Sequence, residues 1–124
     1  MDPKKYLSFD GLMAIPVAAR VEKDFEIPGW GVVRIRALST DEYWRGQQAA
    51  KEQGVFDHER WQAYVISTAM VDPRMSYDDA IRFGRERPYG VVTRLANAIV
   101  DLTMGVPGRV SEEVIAAAEA SFRG

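Results

Sequence analysis

The chain contains 124 residues, of which 47% are apolar and 27% are charged, a composition typical of one globular domain and too apolar for a disordered chain. Its net charge of −2 and its pI near 5.4 disfavour binding to nucleic acid or to an anionic membrane surface. It has no cysteine, which excludes disulfides, thiolate metal sites and cysteine nucleophiles and fits a reducing cytoplasm. We expect a single domain over residues 1–124, with an N-terminal arm at 1–20, a β-hairpin at 21–38 and a helical part at 39–124.

The N-terminal arm includes an apolar stretch at Leu12–Ala19, interrupted by Pro16. This stretch is far shorter than the ~20 residues that a membrane-spanning helix needs, and Phe9-Asp10-Gly11 stands where a signal peptide would continue its hydrophobic region. The arm either lies across the core of the domain or docks on another subunit, which would mean self-association. We adopt the first interpretation as our prediction, so that the core covers Leu12, Met13, Ile15 and Val17.

Two alternating segments predict the β-hairpin. Between Val21 and Ile27 the apolar residues share one face, and Val33, Ile35 and Ala37 alternate with arginines in the second segment. A three-residue loop, Gly29-Trp30-Gly31, sets the predicted register of the two strands. In this register Phe25 faces Ile35 and Ile27 faces Val33, while Glu26 faces Arg34 and Asp24 faces Arg36. Gly31 is expected at positive φ, because it has no Cβ that would clash there.

The rest of the chain is predicted to be helical. Ser39 and Glu42 have the spacing of a capping box that opens a helix running to about Gln53 and ending at Gly54. Asp57 caps the next helix, about His58–Val71, whose apolar residues cover more than half of its circumference. We therefore expect that helix to be central and the most buried, ending before Pro73.

Three further helices complete the prediction. Ser76 caps a short one, and Pro88 fits the first turn of another that carries the stripe Val91, Val92, Leu95, Ala98, Ile99 and Leu102. After a breaker at Gly105–Gly108, Ser111 opens a last helix with Val114, Ile115, Ala118 and Phe122 on one side. The predicted fold class is α+β with helix dominant, an N-terminal β-hairpin packed on a small bundle of about five helices.

The residues that could carry chemistry have ordinary structural explanations. His58 is the sole histidine, and its acidic sequence neighbours point in different directions on a helix, which disfavours a metal site. The acidic pair Asp78-Asp79 suits the start of a helix. A basic cluster at Arg82, Arg85 and Arg87 contains Glu86 and is read as a solvated helix end rather than a phosphate site. We expect no catalytic residue, no metal and no cofactor.

Three aromatic residues are harder to place in a core. Trp30 lies at the predicted hairpin tip, and Tyr43 and Trp44 lie on a helix rich in glutamine. Each of them, taken singly, is best explained by packing back on the domain. Together they are candidates for an apolar partner-binding surface, because Trp and Tyr are favoured where binding energy concentrates.

Three parts of the sequence resemble the tail assembly chaperones of long-tailed bacteriophages. The first is Ile27-Pro28-Gly29-Trp30-Gly31 followed by the run Val33–Ser39, which leads into an acidic helix start. The second is Met70–Pro73 followed by Ser76–Ala80, and the third is the stripe formed by Leu95, Ile99 and Leu102. The family often has a glycine-bearing turn after the Asp-Pro step, where this chain has Arg74-Met75.

The resemblance implies a non-enzymatic, protein-binding function. Such chaperones coat the long, aggregation-prone tape measure protein in the host cytoplasm, help to gather tail tube subunits around it and are absent from the finished virion. The first alternative is a structural component of the phage tail or head–tail junction, which would persist in purified particles. A small enzyme is the other alternative, and it would need a pocket with convergent polar groups.

Overall fold

A computed structural model describes residues 6–52 and 54–105. Over these residues the protein is a helix-dominant α+β fold, as predicted, with an N-terminal β-hairpin against helices. A 3₁₀ turn, Ala18–Arg20, precedes the hairpin. The helices and strands in chain order are α1 (Phe9–Met13), β1 (Glu22–Ile27), β2 (Gly31–Arg36), α2 (Thr40–Ala50), β3 (Lys51–Glu52), β4 (Val55–Phe56), α3 (His58–Ala69), β5 (Met70–Asp72), α4 (Tyr77–Glu86) and α5 (Tyr89–Met104).

The hairpin forms, but its predicted register is wrong by two residues. Phe25 faces Val33 rather than Ile35, and Asp24 rather than Glu26 faces Arg34. The physical reason is the turn, in which the Trp30 N–H donates to the Ile27 carbonyl at 3.0 Å. Pro28 and Gly29 are the second and third residues of this turn, and Gly29 has φ 83°. Proline followed by a positive-φ glycine is the pattern of a type II turn. It closes the loop one residue earlier than predicted and places Gly31 in the strand.

The faces of the hairpin are nevertheless as predicted, because a shift of two residues preserves the alternation of a strand. Ile35 is fully buried, and Phe25 and Val33 pack against the core from partly buried positions. Gly31 has φ 147°, so its predicted positive φ is confirmed. The arginines find different partners from those predicted: Arg34 donates to Glu22 and Asp24, and Arg36 donates to Glu42.

A third strand, which the sequence did not predict, joins the sheet. β5 pairs antiparallel with β2, giving the strand order β1-β2-β5. Met70 therefore has an extended backbone (φ −73°, ψ 119°), and α3 ends at Ala69 instead of Val71. The unpaired edge of β2 supplies a hydrogen-bonding partner that is distant in sequence, and this pairing replaces the last helical turn.

The start of α2 is confirmed and its predicted end is wrong. Both capping-box bonds are present: the Glu42 N–H donates to Ser39 Oγ at 3.1 Å, and the Ser39 N–H donates to Glu42 Oε1 at 2.9 Å. The helix stops at Ala50 because β3 and β4 pair as a second, two-stranded ribbon around Gly54, which has φ 78°. Gln53 lies outside the described residues.

The other helix starts follow the sequence closely. Ser76 Oγ accepts from the Asp79 N–H at 3.1 Å, while Pro88 is the N-cap of α5 rather than a residue of its first turn. α5 ends at Met104, and its C-cap Gly105 has φ 63°. The helix predicted from Ser111 lies outside the described residues.

The core is formed where the sheet meets α3 and α5. α3 is central as predicted, since it packs against α2, α4 and α5, and it shares the most buried positions with α5. The fully buried side chains of large volume are Ile35, Val65, Ile66, Leu95, Ile99 and Leu102. In α5 the buried stripe includes Ala96, while the predicted members Val91 and Ala98 are partly exposed.

The predicted burial of the N-terminal apolar segment is wrong. Leu12, Met13, Ile15 and Val17 are 52%, 69%, 41% and 62% exposed. None of the residues of α1 is buried, and the chain reaches the core only at Ala18. α5 contacts β1 and β2, and the core that residues of β2, α3 and α5 form together is filled without this segment.

Candidate functional site

Trp30, the first candidate, stands at the tip of the hairpin with 88% of its surface exposed. The Pro28-Gly29 turn holds it there through the Trp30 N–H to Ile27 carbonyl bond. A shallow hollow of about 110 Å³ lies beside the ring, lined by Phe25, Ile27, Pro28, Trp30, Val91 and Arg94. The tip is therefore an apolar surface next to the N-terminal half of α5.

Tyr43 and Trp44, the other two candidates, lie in the first turns of α2 and contact each other. Their rings meet edge to face with centroids 5.6 Å apart, and Tyr43 makes a second such contact with Trp61 at 5.3 Å. Edge-to-face pairs add ~0.5–1.5 kcal/mol to the effect of area burial. Tyr43 is thus partly a packing residue, whereas Trp44 remains 59% exposed.

A hollow of about 260 Å³ adjoins this aromatic pair. It is lined by Leu38, Ser39, Thr40, Tyr43, Trp44, Thr103 and Met104. Met104 is 56% exposed at the end of α5. We call the exposed parts of Tyr43, Trp44 and Met104 around this hollow the α2–α5 surface.

Two polar contacts hold the α2–α5 surface in place. Thr103 Oγ1 accepts from the Leu38 N–H at 3.0 Å and donates to the Ile99 carbonyl at 2.8 Å, which joins the start of α2 to α5. Arg36 forms a two-pronged ion pair with Glu42, at 2.8 and 2.9 Å. The Arg36 guanidinium, together with the Ser39 N–H and hydroxyl, lowers the pKa of Glu42 to about 2.

Gly46 is a structural residue of this region that the sequence analysis missed. It is buried in α2, and a Cβ added there would stand 2.5 Å from Tyr64 Cδ1 and 2.8 Å from Trp61 Cζ3. The absence of a side chain lets the two aromatic rings of α3 lie directly on the α2 backbone. The available signal was a glycine inside a predicted helix, where it costs about 1 kcal/mol relative to alanine and therefore needs a packing reason.

The three predicted residues do not form one surface. Trp30 lies beside Val91 and Arg94, whereas Tyr43 and Trp44 lie beside Thr103 and Met104. Along α5, Thr103 lies nine positions after Arg94, which corresponds to roughly 14 Å at 1.5 Å per residue. The hairpin tip and the α2–α5 surface are therefore two separate apolar sites.

Within the N-terminal arm, the segment from Tyr6 to Val17 is a third exposed apolar region. Its seven exposed large apolar residues are Tyr6, Leu7, Phe9, Leu12, Met13, Ile15 and Val17. Phe9, Leu12 and Met13 are spaced i, i+3 and i+4, so they share one face of α1. The sequence showed the apolar run but not that it lies outside the core.

The titratable residues of the described part are mostly engaged with one another. Arg82 pairs with Glu86 at 2.6 Å and Arg85 with Glu59 at 2.9 Å, so most of the predicted basic cluster is neutralised. His58 lies edge to face against Phe56 with centroids 4.9 Å apart. Over residues 6–52 and 54–105, no group of three or more His, Cys, Asp or Glu side chains is placed to hold a metal ion.

A cleft of about 570 Å³ lies between the hairpin, α3 and the loop after β5. Its charged lining residues are Glu22, Arg36 and Arg74. Glu22 is paired with Arg34 and Arg36 with Glu42. The other polar side chains that line the cleft are Arg74, Ser67 and Thr68. The Ser67 hydroxyl donates to the Tyr64 carbonyl at 3.2 Å, and the Thr68 side chain is hydrogen-bonded to Tyr64.

Within the described residues, no helix combines the length and the apolar character needed to cross a membrane. Comparison with protein-family models, curated proteins and solved structures finds no match to this chain.

Proposed function

We propose that this protein is a tail assembly chaperone of a long-tailed phage or prophage. In this proposal it binds the tape measure protein, helps to recruit tail tube subunits, acts in the host cytoplasm without catalysis and is absent from the mature virion. The support is twofold: the resemblance of Ile27–Ser39 and Met70–Ala80 to that family, and the exposed aromatic side chains that the fold carries on two separate sites.

The observation that carries the proposal is the α2–α5 surface. Trp44 is 59% exposed and Met104 is 56% exposed beside a hollow of about 260 Å³. Tyr43 is fixed underneath by its contact with Trp61. An exposed, rigidly supported aromatic residue next to an apolar hollow is the arrangement that anchors a partner's side chain. Apolar residues of a client helix match this hollow in chemistry.

The separation of Trp30 from the α2–α5 surface suits a long client. A tape measure protein exposes apolar stripes along its whole length, and many weak contacts are needed to cover them. Two apolar sites on one small protein add their contributions when both bind one client, because the second contact is intramolecular. Each site can then be weak and reversible, as assembly of tube subunits requires.

Co-expression with the long helical protein encoded nearby tests the proposal. We expect wild-type protein to keep that client soluble, and Trp44→Ala to weaken binding by roughly tenfold, because interface anchors contribute more than ~1–2 kcal/mol. Trp30→Ala should reduce binding as well, and their combination should reduce it further. The matched control is Tyr89→Ala, since Tyr89 is 80% exposed and belongs to neither site.

Each variant must first melt like the wild type, so that lost binding is not confused with misfolding. Folded Trp44→Ala and Trp30→Ala proteins that solubilise the client as well as wild type would show that these side chains are not the client site. Recovery of the protein in purified phage particles would favour the alternative of a tail or head–tail junction component. A gene order of tube protein, this protein and a very long helical protein is the expected context.

A further inference from the structure

β1 is an edge strand of the three-stranded sheet. In the order β1-β2-β5, β2 pairs with one edge of β1, and over residues 6–52 and 54–105 no strand pairs with its other edge. α5 also packs against β1, but it does so on one face of the strand, where Val91 and Arg94 line a hollow with Phe25 and Ile27. The described helices and strands therefore leave the outer edge of β1 without a paired strand.

The backbone groups that point outward from β1 belong to its three acidic residues. The Ala37 N–H donates to the Val21 carbonyl at 2.8 Å, so these two opposed residues form a hydrogen-bonded pair. Such pairs recur at every second residue of an antiparallel ladder, and the register of β1 with β2 contains no shift. The odd-numbered residues of β1 thus bond to β2, and the N–H and C=O groups that point outward are those of Glu22, Asp24 and Glu26.

The two faces of this edge differ in charge. Glu22, Asp24 and Glu26 share one face, because residues two apart in a strand point the same way. Arg34 donates to both Glu22 and Asp24, and Glu26 forms no ion pair with a described residue, so three carboxylates share one guanidinium. The other face carries Lys23, which alternates with the acids, and the exposed Arg94 of α5.

We propose that the outer edge of β1 binds an extended segment of a partner protein in which basic residues alternate with uncharged ones. The segment adds a fourth strand to the sheet through the outward backbone groups. Partner side chains directly opposite the acids are basic, because opposite charges at that position are stabilising. Those between them lie beside Lys23 and Phe25 and are uncharged. The proposal is independent of the chaperone function, whose client contacts aromatic side chains rather than this backbone edge.

A second copy of the chain does not suit this edge. Hydrogen-bonded pairs between two edges form only between residues whose backbone groups point outward. Two β1 edges paired about a two-fold axis would therefore place an acid opposite an acid in every register, and like charges directly opposite are destabilising. Charges at an edge are a common protection against self-association, so the acids select a basic strand and disfavour another β1.

Backbone NMR of the full chain, with blocked peptides as probes, tests the proposal. The matching peptide is Thr-Arg-Val-Arg-Thr-Arg-Thr, which places an arginine opposite each acid in an antiparallel pairing. One control peptide has glutamate in place of each arginine. The other, Thr-Val-Thr-Arg-Arg-Arg-Thr, keeps the composition and charge but lacks the alternation.

In the free chain we expect the amides of Asp24 and Glu26 to exchange with solvent at least about tenfold faster than those of Lys23 and Phe25, which bond to β2. The matching peptide should slow the exchange of the two outward amides and bind roughly tenfold more tightly than either control. Slow exchange in the free chain would show that the chain itself or a second copy covers the edge, and would overturn the proposal. Equal binding of the three peptides, or no binding of the matching peptide up to about 1 mM, would overturn it too.

A charge reversal provides the second measurement. Asp24→Lys combined with Glu26→Lys should weaken the arginine peptide and strengthen the glutamate peptide, each by roughly tenfold. The matched control, Asp41→Lys with Glu86→Lys, makes the same change in net charge at helix side chains that are 71% and 47% exposed, and should keep the wild-type preference. Circular dichroism melting checks that both variants fold, and the peptide series on wild type decides if they do not. An edge variant that keeps the wild-type preference, or a control that loses it equally, would contradict the proposal.

Discussion

At the scale of single residues, Gly46 shows how one missing Cβ positions two elements. The rings of Tyr64 and Trp61 lie where a side chain on α2 would stand, within 2.5–2.8 Å of the ideal Cβ position. These rings are rigid and cannot rotate away without leaving the α2–α3 interface. Trp61 also contacts Tyr43, so the close packing at Gly46 helps to position the Tyr43 side chain of the α2–α5 surface.

We predict that Gly46→Ala destabilises the protein, although alanine is the better helix former. Helix propensity favours the variant by about 1 kcal/mol, while overpacking of this kind costs about 1–3 kcal/mol and occasionally more. Urea denaturation should therefore show a net loss of up to about 2 kcal/mol in the free energy of unfolding.

Gly84→Ala provides the control for that prediction. Gly84 lies inside α4, and an added Cβ would meet a single atom, Val92 Cγ1 at 3.9 Å, which is an ordinary contact. Propensity alone should then stabilise the variant by up to about 1 kcal/mol. Equal gains from both substitutions would show that α2 and α3 separate freely and that the close approach at Gly46 is unimportant.

At the scale of elements, α3 holds the molecule together because it contacts α2, α4 and α5. Val65 is fully buried, and Trp61 lies within the aromatic cluster of Tyr43 and Phe56. We predict that Trp61→Ala lowers the free energy of unfolding by ~3–5 kcal/mol and that Val65→Ala lowers it by ~2 kcal/mol.

Thermal melting measures both variants of α3. A loss of ~2 kcal/mol should lower the melting temperature by roughly 5–10 °C for a domain of this size. Asn97→Ala, at an exposed position of α5, serves as the control and should melt within about 2 °C of wild type. Unchanged melting for both Trp61→Ala and Val65→Ala would mean that α3 is not part of the core.

Local signals in the sequence predicted the features that depend on local physics. The caps at Ser39, Asp57 and Ser76 are present because side chain and backbone donor lie within a few residues of each other. The faces of the hairpin were predicted because alternation fixes them. Its register was not, because a shift of two residues satisfies the same faces and the choice rests on the Pro28-Gly29 turn.

The sequence pattern does not predict features that depend on contacts between residues far apart in the sequence. β5 forms because β2 has an edge to pair with. The run Leu12–Val17 is as apolar as a core segment, but the core is filled without it. The same distinction between local and distant contacts applies to the candidate partner-binding residues. High exposure of Trp30 fits its place in a glycine-bracketed turn, and that of Trp44 fits its glutamine-rich helix. The hollow that Trp44 shares with the end of α5 requires the fold.

At the scale of the whole molecule, ten of the fourteen exposed large apolar side chains of the described residues lie in three places: the arm, the hairpin tip and the α2–α5 surface. The other four are Val32, Val55, Tyr77 and Tyr89. The intervening surface carries paired charges such as Arg34 with Asp24 and Arg85 with Glu59.

The Arg36–Glu42 pair links the two halves of this architecture, since Arg36 lies in β2 of the sheet and Glu42 in the first turn of α2. Glu42 accepts from both Arg36 and the Ser39 N–H, and its pKa is lowered to about 2. The folded-state pKa is below the ordinary value of 4.5. The pair therefore adds stability that is fully present above pH 4.5 and is lost as the pH falls from 4.5 towards 2.

We predict that Glu42→Gln lowers the free energy of unfolding at pH 7 by about 1–3 kcal/mol, the upper value being the pKa shift at 1.36 kcal/mol per unit. The amide can still accept from the Ser39 N–H but cannot pair with Arg36, so the difference from wild type should shrink steadily between pH 5 and pH 2. Denaturant titrations across that range measure it. The control, Glu86→Gln, removes the exposed pair with Arg82 and should change stability by less than about 0.5 kcal/mol. If Glu42→Gln lowers the free energy of unfolding as much at pH 2 as at pH 7, side-chain packing rather than the ion pair stabilises the contact between the sheet and α2.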